Sequence, residues 1–269
     1  MPTPPLQPWF LAPLPALAAL RGVLTDIDDT LTRDGAIESA ALAALQRLRD
    51  ADVPVIAITG RPAGWSEPFA LAWPVAAIVA ENGAVMLRRE GAGLRHDFVQ
   101  SAAERAHNFA RLQACALDVL QRVPGATLAA DSLGRLTDIA VDHSEFAHLS
   151  ATQIEQVLAV MREHGLTATV SSIHINGWIG AHNKWTAAAW AVQTVLGERF
   201  NATRWLYVGD STNDQLMFRH MPLTVGVANI ARFVPQLQHL PAWVTQAERG
   251  QGFAEVAARV LLARGRATA

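Results

Sequence analysis

The chain has 269 residues, enough for one large domain or for a core carrying an insert. Hydrophobic residues make up 51% and charged residues 17%, which excludes a disordered chain, and a net charge of -2 leaves no basic stripe for nucleic acid. The single cysteine, Cys115, lies in an apolar helical pattern and cannot form an internal disulfide, so core filling and a reducing cytoplasm are expected.

The first segment, Met1 to Leu20, lacks a basic start and is interrupted by Pro13 and Pro15. It suits neither a signal peptide nor a membrane span, and reads as a loose arm followed by one helical turn. Val23 to Ile27 is a short apolar run with strand character, and it ends in Asp28, Asp29 and Thr30. Side chains alternate along a strand, so Asp26 and Asp28 leave on one side while Ile27 points into the core. Two readings stay open here: a polar turn capping the next helix, or a ligand site beyond the carboxyl end of a strand.

Ile37 to Asp52 has helical apolar spacing at Ile37, Ala41, Leu45 and Leu48. Val53 to Ile58 is a second buried strand ending at Thr59, where Gly60 allows close approach of backbone to a ligand. Arg61-Pro62 ends it, a short helix runs from Trp65 to Leu71, and Ala76 to Ala80 is a third strand. Buried strands alternating with helices predict an α/β fold with a doubly wound parallel sheet.

From Val85 the pattern changes. A long helix from Ser101 to Val123 is followed by short strands at Thr127 to Ala130 and Leu136 to Val141. A helix at Ser150 to His164 and strands at Thr167 to Ser171 and Ile173 to Trp178 complete an α-β-β-α-β-β order. That order predicts an antiparallel sheet with helices on one face, hence a separate α+β insert at 85–180 within a core of 1–84 and 181–269. His174, Asn176 and Trp178 share one strand face, and either reach a substrate or satisfy backbone at a strand end. Arg88, Arg89, Arg95 and His96 read as solvated surface.

Lys184 opens a helix through Leu196. It is the only lysine beside 21 arginines, which suggests a site needing a compact ammonium and not a planar fork; chance placement at a helix end is the other reading. Trp205 to Gly209 and Leu223 to Val227 are further core strands, and Trp243 to Thr245 and the helix Phe253 to Ala263 close the sheet edge.

Four pieces stand in one order: Asp26-Ile27-Asp28-Asp29-Thr30, Ile58-Thr59-Gly60-Arg61, Lys184, and Val208-Gly209-Asp210-Ser211-Thr212-Asn213-Asp214. Together they resemble the four motifs of the haloacid dehalogenase superfamily of phosphatases. The segment Ile78 to Ala84 and the long gap before Lys184 resemble its sugar-phosphatase-like branch with a large α/β cap (subfamily IIB). The resemblance implies a cap closing over the site, the first and fourth core strands as neighbours, and Asp26 facing Asp210. It further implies Asp26 as nucleophile, Asp28 as acid and base, and Thr59, Gly60, Lys184 and Asn213 on the phosphate.

Gathering Asp26, Asp28, Asp210 and Asp214 requires neutralisation, and a donor set of oxygens without clustered His or Cys favours Mg2+. By resemblance the Asp26 and Asp210 carboxylates and the Asp28 carbonyl are ligands, while Asp214 is a ligand through water or orients Lys184. Asp29 stands where the family commonly has glycine, which leaves the local backbone open. The expected activity is cytoplasmic hydrolysis of a small phosphorylated metabolite, a sugar or polyol phosphate, with neither nucleic acid nor membrane as partner. A phosphomutase or phosphotransferase shares the four motifs, and a non-catalytic phospho-ligand binder is the remaining alternative. A receiver domain is disfavoured by length, and nucleotide-binding folds by the absence of a glycine-rich loop after a strand.

Overall fold

The structure, a computed structural model, describes residues 6–265. In chain order it begins with β1 (Gln7–Pro8), α1 (Leu14–Ala18), β2 (Gly22–Thr25), β3 (Thr32–Arg33), β4 (Ala36–Ile37), α2 (Ser39–Asp50), β5 (Val55–Ile58), α3 (Ala63–Ala72), β6 (Ala77–Ala80), β7 (Val85–Glu90) and β8 (Gly93–Phe98). Next come α4 (Ala102–Arg122), β9 (Thr127–Leu128), β10 (Asp138–Asp142), α5 (Ala151–Glu163), β11 (Thr167–Val170) and β12 (His174–Trp178). The chain closes with α6 (Lys184–Leu196), β13 (Trp205–Gly209), α7 (Gln215–His220), β14 (Thr224–Gly226), β15 (Trp243–Val244) and α8 (Arg249–Ala263).

Nine strands form one sheet in the order β1-β15-β14-β13-β2-β5-β6-β7-β8. All neighbours are parallel from β1 to β6, and β7 and β8 add antiparallel. Alternate residues of each central strand serve opposite cores. Val23, Val55, Ala57, Leu206 and Val208 pack with α1, α2 and α8, whereas Leu24, Ile56, Ile58, Trp205 and Tyr207 pack with α6 and α7. Both faces being covered explains why these strands read as continuous apolar runs and not as alternating ones.

The chain runs outward from β2 to β8 and later returns to lay β13 against β2. The sheet therefore has a topological switch point between those two strands, where the carboxyl ends open a crevice.

Within the insert expected at 85–180, β7 and β8 are hydrogen-bonded to the large sheet. The second sheet, β11-β12-β10-β9, forms only after α4. The first residues of the expected loose arm lie outside the described ones, but from Gln7 onward the arm is docked: β1 pairs with β15, Trp9 is buried, and its indole N–H donates to the Glu255 carbonyl.

The second sheet is antiparallel and packs one face on α4 and α5. Ile139, Val141, Ile175 and Val170 point into that small core together with Cys115, whose thiol burial pushes up to about 11. Capping boxes at Ser101/Glu104 and Ser150/Gln153 start the two helices. The other face carries Thr169, His174, Asn176, Trp178 and Asp138 and lies over the ends of the large sheet. Contacts across the divide include Asn82 Nδ2 to Asp138 at 3.3 Å and Arg135 to the Gly60 carbonyl at 3.0 Å.

Candidate active site

The acidic stretch leaves β2 at the switch point, and β13 delivers Asp210 and Asp214 beside it. One carboxylate oxygen from each of Asp26, Asp210 and Asp214 falls within a group spanning no more than 4.8 Å, and all three residues are buried. Burial, and then the neighbouring Asp214 and Asp28, push Asp26 up to about 7 despite the opposing pull of Lys184. Burial together with Asp214, Asp26 and Asp29 pushes Asp210 well above the usual carboxylate range. Asp210 Oδ2 accepts from Asn229 at 3.2 Å, while its buried Oδ1 has no hydrogen-bond partner among the described residues. A hard-oxygen set with an orphaned buried carboxylate oxygen fits a divalent cation of the Mg2+ type.

Lys184 is the cation the structure does supply. Asn183 caps α6, its side chain accepting from the Thr186 amide at 3.0 Å, and this places Lys184 as the first helical residue facing the acids. Its Nζ lies 2.8 Å from Asp26 Oδ1, 2.7 Å from Asp214 Oδ1 and 3.2 Å from Asn213 Oδ1. Burial opposes its charge, but Asp214 and Asp26 outweigh that and raise its pKa.

Asp214 is fully engaged. Besides Lys184, it accepts from the Tyr207 hydroxyl and from the amides of Asp210 at 2.8 Å and Ser211 at 3.1 Å. Gly209 makes that possible, since a Cβ there would sit 2.4 Å from Asp214 Oδ2.

Asp28 turns its carboxylate away from this cluster toward the loop after β5. Oδ1 accepts from Arg61 Nε at 2.9 Å, and Oδ2 lies 3.4 Å from the Thr59 hydroxyl, which itself accepts from the Arg61 amide at 3.0 Å. At Gly60 the second sheet also comes close, since a Cβ there would meet Asn176 Nδ2 at 2.8 Å. Asn176 Oδ1 is buried without a hydrogen-bond partner among the described residues, His174 Nε2 lies 2.9 Å from Glu145 Oε2, and the Trp178 indole donates to the His182 carbonyl at 2.9 Å. The three share one strand face turned toward the large sheet, with Trp178 committed to the returning chain.

Several residues were invisible as site members in the sequence. Asn229 bridges Asp210 and the Asp29 carbonyl, the latter at 3.0 Å. Asp29 does adopt the left-handed φ of 54° that glycine would take more freely, and it is pinned there by Arg232 at 2.7 Å and Arg249 at 2.8 Å. Tyr207 is the sole tyrosine, standing two residues before Gly209 on a buried strand, which is a usable signal. Glu81, buried and with φ of 50°, accepts from Ala63, Leu136 and Thr137 and so ties the large sheet to the second one. Arg61 spans the same divide, reaching Asp131 at 3.0 Å and Glu145 at 2.8 Å.

Residues 23–122 match the family model described as haloacid dehalogenase-like hydrolase. No curated protein matches the chain. Among solved structures, a Thermoplasma acidophilum protein is similar with a TM-score of 0.71 and 16% identity, covering 90% of this chain and 99% of its own. The sucrose-phosphatase of Synechocystis, solved with sucrose and phosphate, has a TM-score of 0.64 and 16% identity, covering 90% and 98%. The C-terminal domain of the C. albicans trehalose-6-phosphate phosphatase has a TM-score of 0.65 and 15% identity, covering 94% and 95%. At these identities the similarity is one of fold.

Proposed function

We propose that this chain, whose residues 23–122 match the haloacid dehalogenase-like hydrolase model, is a Mg2+-dependent phosphatase of a small phosphorylated sugar or polyol. The observation that carries the reading is the meeting of Asp26 and Lys184 at 2.8 Å beside Asp210, at the switch point of the sheet. The sugar-phosphatase neighbours support the substrate class.

Mg2+ would be held by the carboxylates of Asp26 and Asp210 and by the Asp28 carbonyl. When bound it offsets the clustered negative charge and draws charge from the phosphoryl oxygens. Asp26 attacks phosphorus, forming an Asp26–phosphoryl bond as the bond to the leaving oxygen breaks. Asp28 gives its proton to that oxygen, then takes one from the water that cleaves the acyl phosphate. Lys184, Asn213, Thr59 and the amide after Gly60 hold the non-bridging oxygens. Asp214 acts by orienting Lys184, because its own oxygens already accept from four donors.

The division into a core and a cap belongs to this proposal, with the cap taken as the second sheet and its two helices. His174 and Asn176 would meet the part of the substrate that leaves. The unpartnered Asn176 Oδ1 is an acceptor suited to a sugar hydroxyl.

The test is phosphate release from a panel of sugar and polyol phosphates with and without Mg2+, run in parallel on Asp26→Asn. Metal-dependent release lost in the variant supports the reading. Phosphoryl transfer between sugars without free phosphate points to a mutase, and equal release by Asp26→Asn sinks the assignment.

A further inference from the structure

Arg61 contacts both the acid–base carboxylate and the cap. Its guanidinium is almost fully buried, and its ion pairs come from three distant parts of the chain. Nε donates to Asp28 Oδ1 at 2.9 Å, Nη1 donates to Asp131 Oδ2 at 3.0 Å, and Nη2 donates to Glu145 Oε1 at 2.8 Å. The plane also lies over Trp65, 5.0 Å from the ring centroid. A guanidinium is a rigid fork, so fixing its two terminal nitrogens fixes the direction in which Nε points.

Glu145 is itself held firmly. Asp142 accepts from four successive amides, those of Ser144 at 3.0 Å, Glu145 at 2.8 Å, Phe146 at 2.8 Å and Ala147 at 3.1 Å, which sets the loop after β10. His174 on β12 then contacts the second Glu145 oxygen at 2.9 Å. Against burial, His174 and Arg61 hold the Glu145 carboxyl down at about 2, so it is charged throughout the working range.

We propose that Glu145 is a positioning residue for the Asp28 carboxylate, acting through Arg61, so that closure of the cap and alignment of the acid–base group are one event. The inference rests on the phosphatase reading given above. With the cap raised, Arg61 keeps only Asp28 and the Trp65 ring, and its two terminal nitrogens lose the carboxylates that pin the fork. With the cap lowered, Glu145 and Asp131 pin the fork and Asp28 is presented in one orientation. Water chemistry is thereby confined to the closed state.

The two half-reactions separate this role from others. With p-nitrophenyl phosphate, attack by Asp26 expels an aryl oxide that needs no proton, so this step does not depend on Asp28. Hydrolysis does depend on it: the water oxygen bonds to phosphorus, the Asp26–phosphoryl bond breaks, and the water proton passes to Asp28.

Rapid-mixing measurements with this substrate and Mg2+ on wild type, Glu145→Gln and Glu145→Ala provide the test. The expected result is a stoichiometric burst of nitrophenol at the wild-type rate in both variants, followed by steady-state turnover slowed by about 10- to 100-fold. A burst and steady state that fall together would mean a structural role, and a raised KM with unchanged kcat would mean a substrate contact. Either outcome, or unchanged kinetics, overturns the proposal. A wild-type enzyme that releases no nitrophenol would instead remove the phosphatase reading on which it rests.

Discussion

Replacing Asp210 by asparagine should move stability and activity in opposite directions. Asp210 shares a buried space with Asp26 and Asp214, with ligand oxygens no more than 4.8 Å apart. Each pair of full charges at that distance repels by about 3.5 kcal/mol at an effective dielectric of about 20. Burial and these neighbours raise the Asp210 pKa, so without a cation the folded protein keeps a proton there that the unfolded chain releases near pH ~4. A carboxyl whose pKa is raised on folding contributes stability below its unfolded pKa and loses it as pH rises toward the folded value.

Asparagine carries no such penalty, keeps the acceptor used by Asn229, and leaves the volume unchanged. Metal-free Asp210→Asn should therefore exceed wild type by about 2 kcal/mol at pH ~8, or roughly 4 °C in Tm, with the gap closing as pH falls toward ~4. Added Mg2+ should raise the Tm of wild type but not of the variant, and phosphate release by the variant should be lost. The assay is thermal unfolding with EDTA or Mg2+ across that pH range. A metal-free variant less stable than wild type at the alkaline end, or one that keeps the Mg2+ shift, would refute the reasoning.

Three further outcomes are expected. Lys184→Arg should lower kcat about 100-fold despite the retained charge, because three acceptors converge on one ammonium and a planar fork overfills the space; an unimpaired variant in steady-state assays would show the lone lysine to be accidental. Gly60→Ala should displace the Asn176 amide, cutting kcat/KM about tenfold with little change in Tm, and unchanged kinetics would mean the approach is not needed. Burial lowers His182 from its ordinary 6.5 to about 4, so the native state refuses a proton that the unfolded chain accepts, and stability drops as pH falls through that interval. In urea titrations His182→Gln should lose up to about 3 kcal/mol less than wild type over the same interval; parallel losses would contradict this.

The large sheet and its acidic edge were legible because strands buried on both faces read as unbroken apolar runs, and because acids at strand ends have few structural uses. The β7–β8 hairpin was not legible as part of the large sheet. Val85, Met86 and Leu87 are buried on the sheet, but Arg88 and Arg89 give the hairpin a surface character. Arg88 pairs with Asp97, and Arg89 reaches the carbonyls that end α3, roles that depend on tertiary placement. The arm looked loose because Pro13 and Pro15 interrupt it, yet Pro13 immediately precedes α1 and Pro15 lies in its first turn, where proline is tolerated. Arg61 read as a strand terminator because its partners lie 70 and 84 residues further along the chain, beyond any local pattern. Asn229 and Glu81 escaped for the same reason.

The central claim is that Asp26 carries the phosphoryl group, and it is tested most directly by acid-quenching the enzyme during turnover with Mg2+ and mapping the modified peptide by mass spectrometry. A single phosphoryl group on the peptide containing Asp26, absent from Asp26→Asn, is the predicted result. Turnover with the label on another residue, or with Asp26 never modified while the variant releases phosphate as fast as wild type, would contradict it.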